Sequence, residues 1–333
     1  MTRDKKLKIL LISFVFSLPF WWGMNILAGN LEDFLFWQEM AKSPEVFTAQ
    51  VKIPEKEIKT PKITKILAND LKIGAKAAIS VEIDNKGNEK VLFEKESQRP
   101  LPIASLTKLM TALVVFDLDE SYNLSQLISI TKEAVEQEEK YGELKEGEEL
   151  SVENLLYIML IESSNDAAYA ITEPVSQEGF VQLMNFYAED LGLENTKFIN
   201  STGLEPDDSQ EPSPHLRQGE AGKNFSSAQD LVKLSKYIFK KYPQIFEITT
   251  NNSYEVLSPD GSLHHFIPEN TNELLTEFPN IIGGKTGWSP LAGGCLLLVL
   301  ENPEKKSYVI NVILGAGDRF EEMRKLIKLT GQK

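Results

Sequence analysis

The stretch PIASLTKLMTAL, residues 102–113, carries a serine and a lysine just before a strongly apolar segment. Ser105 and Lys108 are three residues apart, and residues 109–116 carry no charge. Residues i and i+3 lie on one face of a helix, so a helix over 105–118 presents the hydroxyl and the ammonium group on the same side. Because this helix is apolar nearly all round, we expect it to be central and buried, with the lysine partly desolvated at its start.

This pair of side chains has a chemical interpretation. A serine hydroxyl is a weak nucleophile until a nearby base accepts its proton. A lysine can be that base only when burial or a neighbouring cation lowers its pKa. Ser105 is therefore a candidate nucleophile and Lys108 its candidate base. A Ser-x-x-Lys spacing also arises by chance, and a serine helix cap followed by a surface lysine is the commoner cause of it.

A second polar pair lies at a corner between two apolar helices. In ESSNDAAYAI, residues 162–171, Ser163 and Asn165 follow a helix that Ser151 opens and precede a helix that Asp166 can cap. Their side chains are thus free to point into a cleft. Serine and asparagine are also ordinary turn residues, so this motif is a weak signal by itself.

The third feature is Lys285-Thr286-Gly287 in IIGGKTGWSPLAGGC, residues 281–295, just before an apolar strand. The flanking glycines let another backbone approach closely. A loop or edge-strand lysine is the alternative interpretation. In this order, the three features form the Ser-x-x-Lys, Ser-x-Asn and Lys-Thr-Gly set of penicillin-binding proteins and class A β-lactamases.

The chain resembles the serine-type D-alanyl-D-alanine carboxypeptidases, which are low-molecular-mass penicillin-binding proteins of the β-lactamase/transpeptidase-like superfamily. The resemblance covers about residues 68–330. The stretches that carry it are RPLPIASLTKLMTAL (99–113), LLYIMLIESSNDAAYAI (155–171), FVQLMNFYAEDLGLENTKFINSTGL (180–204), SSAQDLVKLSKYI (226–238), NTNELL (270–275), GGKTGWSPLAGGCLL (283–297) and VILGAGDRF (312–320).

This resemblance implies roles for the catalytic side chains. Ser105 is implied to be the acylated nucleophile, Lys108 its general base, and Ser163 a relay that passes a proton to the leaving amine. The backbone amides of Ser105 and Trp288 match the oxyanion hole of the family, where each preorganised donor contributes ~3 kcal/mol. No metal or organic cofactor is implied.

A substrate-binding set is implied as well. Asn165 is expected to hydrogen-bond the peptide backbone of the substrate. Lys285 is expected to keep the pocket electropositive, which depresses the pKa of the catalytic lysine and attracts the terminal carboxylate of the substrate. Thr286 is expected to hydrogen-bond that carboxylate, and Gly287 and Trp288 complete the set on the same segment.

The implied reaction is attack on the D-Ala–D-Ala bond of peptidoglycan stem peptides, release of D-alanine and hydrolysis of the acyl-enzyme, with β-lactams as covalent inhibitors. A D,D-endopeptidase that cuts peptidoglycan cross-links carries the same motifs. A class A β-lactamase uses a further glutamate, usually in a Glu-x-x-Leu-Asn setting, and the sequence has no such stretch after Asn165. A membrane-anchored β-lactam sensor and a non-catalytic peptidoglycan-binding module are the alternatives from another class.

The first residues predict a membrane segment. Basic residues at positions 3, 5, 6 and 8 precede 23 uncharged residues, 9–31, which compares with the roughly 20 that a transmembrane helix needs. The positive-inside tendency places residues 1–8 in the cytoplasm and the catalytic domain outside the cytoplasmic membrane. A cleavable signal peptide, and hence a secreted protein, is the alternative. Residues 32–65 are predicted to be a juxtamembrane spacer and residues 66–333 the catalytic domain.

Strand patterns lie near both ends of this domain, and helical patterns lie between them. Alternation over 77–84, and apolar runs near 91–93, 294–301 and 307–315, predict strands. Helices are predicted over 105–118, 124–139, 151–162, 166–175, 179–191, 226–241 and 318–329. Together with the resemblance, these patterns predict an α+β fold, in which an antiparallel five-stranded sheet is flanked by helices and carries an inserted all-helical lobe.

The charge balance argues against one class of partner. Asp and Glu total 49 against 35 Lys and Arg, a net charge of −14, so a nucleic-acid binder is not expected.

Cys295 is the only cysteine, which excludes an intramolecular disulfide, and it is predicted to be a small core side chain. Residues 205–224 predict a long polar loop or lid, in which His215 is expected to be solvent-exposed.

Overall fold

The computed structural model describes residues 72–118, 122–137, 142–205 and 222–332. The predicted cytoplasmic tail, membrane segment and spacer lie outside these residues, and so does nearly all of the predicted polar loop with His215. In the described part of the chain, no helix combines the length and the apolar character that crossing a bilayer requires.

The described chain alternates strands and helices. The strands are β1 (Ala77–Asp84), β2 (Glu89–Lys95), β3 (Leu101–Pro102), β4 (Leu127–Ser129), β5 (Glu149–Ser151), β6 (Phe225–Ser226), β7 (Tyr254–Leu257), β8 (Leu263–Ile267), β9 (Ile281–Ser289), β10 (Gly293–Asn302) and β11 (Ser307–Ala316). The α-helices are α1 (Lys108–Asp117), α2 (Lys132–Val135), α3 (Val152–Tyr157), α4 (Asn165–Ala170), α5 (Gln177–Asp190), α6 (Ala228–Lys241), α7 (Gln244–Thr249) and α8 (Arg319–Leu329). Short 3-10 turns cover Ala104–Thr107 and Glu273–Leu275, and a π turn covers Ile158–Glu162.

A five-stranded antiparallel sheet with the order β2-β1-β11-β10-β9 brings the two ends of the described chain together. Val81 of β1 faces Ile310 of β11, which faces Val299 of β10. Successive residues of a strand point to opposite faces of the sheet. Val81 therefore joins the main core, whereas Ala78 joins a smaller core with Met323 of α8. The predicted α+β fold with its five-stranded antiparallel sheet is confirmed.

Helix α1 is buried, as its apolar sequence predicts. Leu109, Met110 and Leu113 have no exposed surface. Ser105 belongs to the 3-10 turn before α1 rather than to the α-helix itself. Residues i and i+3 of a 3-10 turn eclipse one another, so the serine and Lys108 still share one side.

The predicted helix over 124–139 is wrong for most of its length. Strand β4 occupies its first half and pairs with β5, with Ile128 opposite Leu150. Ile128 and Ile130 are buried while Ser129 between them is exposed, and this period of two suits a strand. Among the described residues of this range, 124–137, only the four of α2 are helical, so the inserted lobe holds a short strand pair beside its helices.

The helix predicted over 166–175 starts one residue earlier and ends sooner. Ser164, not Asp166, caps α4, and its hydroxyl accepts an amide hydrogen bond at 3.2 Å. Pro174 disfavours helical backbone at the residue before it, and the chain leaves the helix after Ala170. Sequence patterns predict neither the hairpin β7–β8 nor the short helix α7.

Candidate active site

Ser105 lies on a tight turn with little room around its backbone. Ala104, just before it, has a left-handed backbone with φ of 45°. A Cβ atom on Gly203 would lie 2.2 Å from the carbonyl oxygen of Ala104, and one on Gly287 would lie 3.2 Å from the Ser105 amide nitrogen. Two glycines therefore let neighbouring backbone segments pack directly against the serine turn.

We expect Gly203→Ala to destabilise the fold and to slow any reaction of Ser105. Gly203 has φ of +86°, which costs another residue about 1–2 kcal/mol, and the contact with Ala104 adds about 1–3 kcal/mol of overpacking. Gly87→Ala is the matched control, because Gly87 has φ of +81° and open space around an added Cβ atom. Denaturant unfolding should show a larger loss of unfolding free energy for Gly203→Ala than for Gly87→Ala. Equal losses would mean that the close approach of Gly203 to Ala104 does not affect stability.

Lys108 is fully buried, and its ammonium group connects the serine turn to the second motif. Its Nζ atom donates to Ser105 Oγ at 3.0 Å, to Asn165 Oδ1 at 2.6 Å and to the carbonyl oxygen of Thr202 at 2.7 Å. An ammonium group has three donor hydrogens. These bonds can therefore satisfy the buried lysine while holding it against the candidate nucleophile.

Ser163 stands where the helical segment of α3 ends. That segment finishes in the π turn Ile158–Glu162, and Ser163 then adopts a left-handed backbone with φ of 68° and ψ of 25°. This conformation turns the chain sharply into α4. Lys285 Nζ donates to Ser163 Oγ at 2.8 Å. One hydrogen bond thereby joins the second and third motifs, which lie far apart in the sequence.

Lys285 lies on β9, at the edge of the sheet, and is only 2% exposed. Burial is the largest cause that lowers the pKa of Lys285 well below its ordinary range, and the positive charges of Lys108 and Arg319 lower it further. Repulsion between the two buried lysines acts on both of them. The site therefore favours loss of one proton from the pair.

Two residues of the site have no place in the sequence-based predictions. Thr271 accepts a hydrogen bond from Thr286 Oγ1 at 2.8 Å and donates through its own hydroxyl and amide to the carbonyl oxygen of Ile161, each at 3.2 Å. Arg319 Nη1 donates to the carbonyl oxygen of Gly287 at 3.4 Å. Both residues fall in family-like stretches, NTNELL and VILGAGDRF, and this was the signal available for finding them.

A cavity of about 620 Å³ opens over these groups. Six of the eight predicted site residues line it: Ser105, Ser163, Asn165, Thr286, Gly287 and Trp288. The two lysines lie behind this lining and hydrogen-bond to its hydroxyl groups. The Trp288 side chain is 61% exposed at the rim, and Glu162, Glu205 and Arg319 bring charge to the walls. Sequence motifs from three separate regions thus meet around one cavity.

The fold is that of the penicillin-binding proteins. The chain is similar to the ampicillin-bound crystal structure of penicillin-binding protein D2 from Listeria monocytogenes, with a TM-score of 0.62 and 26% identity, over 79% of this chain and 99% of that one.

Sequence comparison gives the family. The family model described as D-alanyl-D-alanine carboxypeptidase, of the S11 peptidases, matches residues 64–318. The carboxypeptidase DacF of Bacillus subtilis is 32% identical over 259 residues, which are 77% of this chain and 61% of that protein. A D-alanyl-D-alanine endopeptidase of Pseudomonas aeruginosa is 31% identical over 250 residues, 73% of each chain. The chain belongs to the D-alanyl-D-alanine carboxypeptidase family, as its motifs predict.

Proposed function

We propose that this protein is a serine-type D-alanyl-D-alanine carboxypeptidase, which removes the terminal D-alanine from peptidoglycan stem peptides through an acyl-enzyme on Ser105. The observation that carries the proposal is the buried Lys108 ammonium group, within hydrogen-bond distance of both Ser105 Oγ and Asn165 Oδ1. Membership of the family supports the same reaction.

In the proposed acylation step, neutral Lys108 accepts the hydroxyl proton of Ser105 while Oγ bonds to the carbonyl carbon of the D-Ala–D-Ala peptide. The bond from that carbon to the D-alanine nitrogen then breaks, and Ser163 relays the proton from Lys108 to the departing amine, which leaves Lys108 neutral again. Water next attacks the ester carbon and gives a proton to Lys108. The bond from that carbon to Oγ breaks, Lys108 returns the proton to Oγ, and the shortened peptide leaves as a carboxylate. A lysine can act as the base in this cycle only if the buried pair of Lys108 and Lys285 readily releases a proton. The lowered pKa of Lys285, caused by its burial and by the charge of Lys108, supports this condition.

The oxyanion of the tetrahedral intermediate is proposed to bind the amides of Ser105 and Trp288. Gly287 supports this placement, because its missing side chain lets β9 run beside the Ser105 amide. Donors fixed in advance stabilise charge that develops only in the transition state.

The terminal carboxylate of the substrate is proposed to bind near Thr286, with Lys285 supplying positive charge from behind the wall. Arg319 lines the same cavity and adds a guanidinium group that sequence motifs do not indicate. Asn165 is proposed to bind the substrate backbone; because its Oδ1 atom accepts from Lys108, this contact falls to its Nδ2 amide.

The choice between carboxypeptidase and endopeptidase can be tested with purified stem peptides. We expect faster release of D-alanine from a pentapeptide than cleavage of a cross-linked muropeptide dimer, measured by chromatography under identical conditions. Faster cleavage of the dimer would favour the endopeptidase alternative. The similarity to the Pseudomonas endopeptidase is the observation that supports this alternative. Action on neither substrate would overturn the proposed function.

β-Lactams are proposed as covalent ligands of Ser105, since the similar Listeria protein was crystallised with ampicillin.

We also propose that residues 9–31 hold the catalytic domain at the outer face of the cytoplasmic membrane. The 23 uncharged residues that follow the basic N-terminus support this placement. Recovery of the full chain from washed membranes checks it, and release of a shortened, soluble protein would indicate signal cleavage instead.

A further inference from the structure

Two adjacent histidines of β8 connect the catalytic cavity to a second, outer cleft. His264 Nε2 lies 3.0 Å from Glu148 Oε2, and the Nδ1 atoms of His264 and His265 are 2.7 Å apart. His265 Nε2 faces Glu162 Oε2 at 3.6 Å. Glu148 and His264 line the outer cleft, whereas Glu162 lines the catalytic cavity. We call this line of four side chains the histidine relay.

The relay contains three pairs of facing atoms: Glu148 with His264, His264 with His265, and His265 with Glu162. We call each pair a gap, and each gap needs one proton to become a hydrogen bond. Two neutral imidazoles carry one N–H group each, so they supply two protons for three gaps. One added proton fills all three gaps. A second added proton would place N–H groups on both Nδ1 atoms, which face each other, and would break the bond between the rings. The relay is therefore complete only when the histidine pair carries one positive charge.

One of the three gaps, between His265 and Glu162, is not a hydrogen bond in the structure. His265 Nε2 and Glu162 Oε2 are both buried, and neither has a hydrogen-bond partner among the described residues. Their separation of 3.6 Å is too long for a hydrogen bond, whereas the other two gaps are short enough. A proton added on His265 Nε2 would therefore lie between two atoms that make no other hydrogen bond among the described residues. Buried polar atoms left in this way are costly, and a proton here would satisfy both.

The Glu162 end of the relay adjoins the catalytic machinery. Glu162 directly precedes Ser163, whose hydroxyl accepts from Lys285. The same corner is held on its other side by Thr271, which donates to the carbonyl oxygen of Ile161. The segment from β8 to Thr271 thus supports the Ser163 corner at two points, one of which depends on a proton.

We propose that His265 is a positioning residue, which fixes Glu162 and hence the Ser163 corner when the relay holds one added proton. The inference rests on the proposed function, because its effect is read in the acylation of Ser105. Protonated His265 donates to Glu162, closes the long gap and neutralises a carboxylate in the cavity wall. The catalytic rate then depends on whether the histidine pair, which borders the outer cleft, carries the added proton.

Other charged groups surround the relay. Glu162 faces His265 from the π turn, and Glu148 faces His264 from the residue before β5. Glu149 and Asp260 line the same outer cleft as His264. Glu255 lies on β7, opposite the residue that follows His265. Among the described residues, no cluster of three or more His, Cys, Asp or Glu side chains is arranged to hold a metal ion.

The experiment compares the wild type with His265→Gln, which removes the titrating ring. The second-order rate constant for acylation by a fluorescent penicillin is measured from about pH 5.5 to about pH 8.5. We expect the wild type to react about fivefold faster than the variant at the acidic end and equally fast at the alkaline end. A histidine with only a structural role would give a ratio that does not change with pH, and that result overturns the proposal.

Matched variants sharpen the test. His215→Gln changes the one histidine outside the relay, since the chain has three, and should match the wild type at every pH. In a Glu162→Gln background, His265→Gln should no longer alter the pH profile. Nitrogen NMR of the histidine-labelled wild type is independent of activity and should show a shared Nδ1 proton. Independent titration of His264 and His265 would overturn the relay, whereas a wild type that penicillin does not acylate would overturn the proposed function.

Discussion

Ser105→Ala is expected to abolish covalent labelling by fluorescent penicillin and to reduce D-alanine release by at least about 10⁴-fold. The reason is that Ser105 lies on the tight turn with its Oγ atom 3.0 Å from Lys108 Nζ. The alanine retains the turn and its glycine neighbours, so the fold should be kept. Labelling is followed on denaturing gels and D-alanine by an enzyme-coupled assay.

A control separates loss of the nucleophile from loss of the fold. Ser129→Ala changes an exposed serine of β4 that does not line the catalytic cavity, and it should label like the wild type. Thermal unfolding of both variants should remain close to that of the wild type. Undiminished labelling of Ser105→Ala would show that the acyl group resides elsewhere and would remove the foundation of the mechanism.

Lys108→Met is expected to slow acylation by about 10³-fold, the usual contribution of a general base. Methionine fills the space of the lysine stem but leaves two buried acceptors, Asn165 Oδ1 and the Thr202 carbonyl, without their donor. Each loss costs about 1–3 kcal/mol, so unfolding has to be measured beside the rate. Lys108→Arg keeps a positive charge but cannot act as a base at ordinary pH, and it should not restore activity.

Lys95→Met is the matched control for this variant. Lys95 also donates to two backbone carbonyl groups, those of Ile73 and Ala75, each at 2.7 Å, but it lies outside the site. It should lose stability and keep its acylation rate. Comparable slowing in both lysine variants would assign the effect of Lys108→Met to stability alone.

The acylation rate of His265→Gln, in which the histidine relay cannot contribute, should rise with pH. The pKa of Lys285 is lowered by burial first and then by the charges of Lys108 and Arg319. The protonated pair is therefore disfavoured in the fold, and raising the pH releases the proton that blocks the base. Removing Lys108 removes a cation that repels Lys285, so the pKa of Lys285 should be higher in Lys108→Met. A rate of His265→Gln that falls as the pH rises would contradict the lysine as base.

The three motifs could be predicted from sequence because each is short and carries its chemistry locally. The apolar run after Lys108 indicates burial without any knowledge of the fold. The sheet was predictable in outline because β1, β10 and β11 have the alternation or apolar continuity of strands. The resemblance then supplied the number of strands.

The remaining features depend on which distant segments meet. The bond of Thr271 to Thr286, the position of Arg319 and the approach of His265 to Glu162 all join segments that no local pattern connects. Strand β4 was mistaken for helix because a short strand is defined by its partner β5 as much as by its own residues. A single sequence does not reveal such partners.

The neighbours of the serine turn also constrain how the protein is made. Gly203 and Gly287, which pack against that turn, are synthesised long after Ser105, and β1 pairs with β11, the last strand of the sheet. Contacts between such distant segments form slowly. A nascent chain that has produced only the serine helix therefore lacks the segments that pack against the serine turn. We expect Ser105 to become reactive only after the C-terminal strands have been synthesised, which would protect an incomplete chain from acylation.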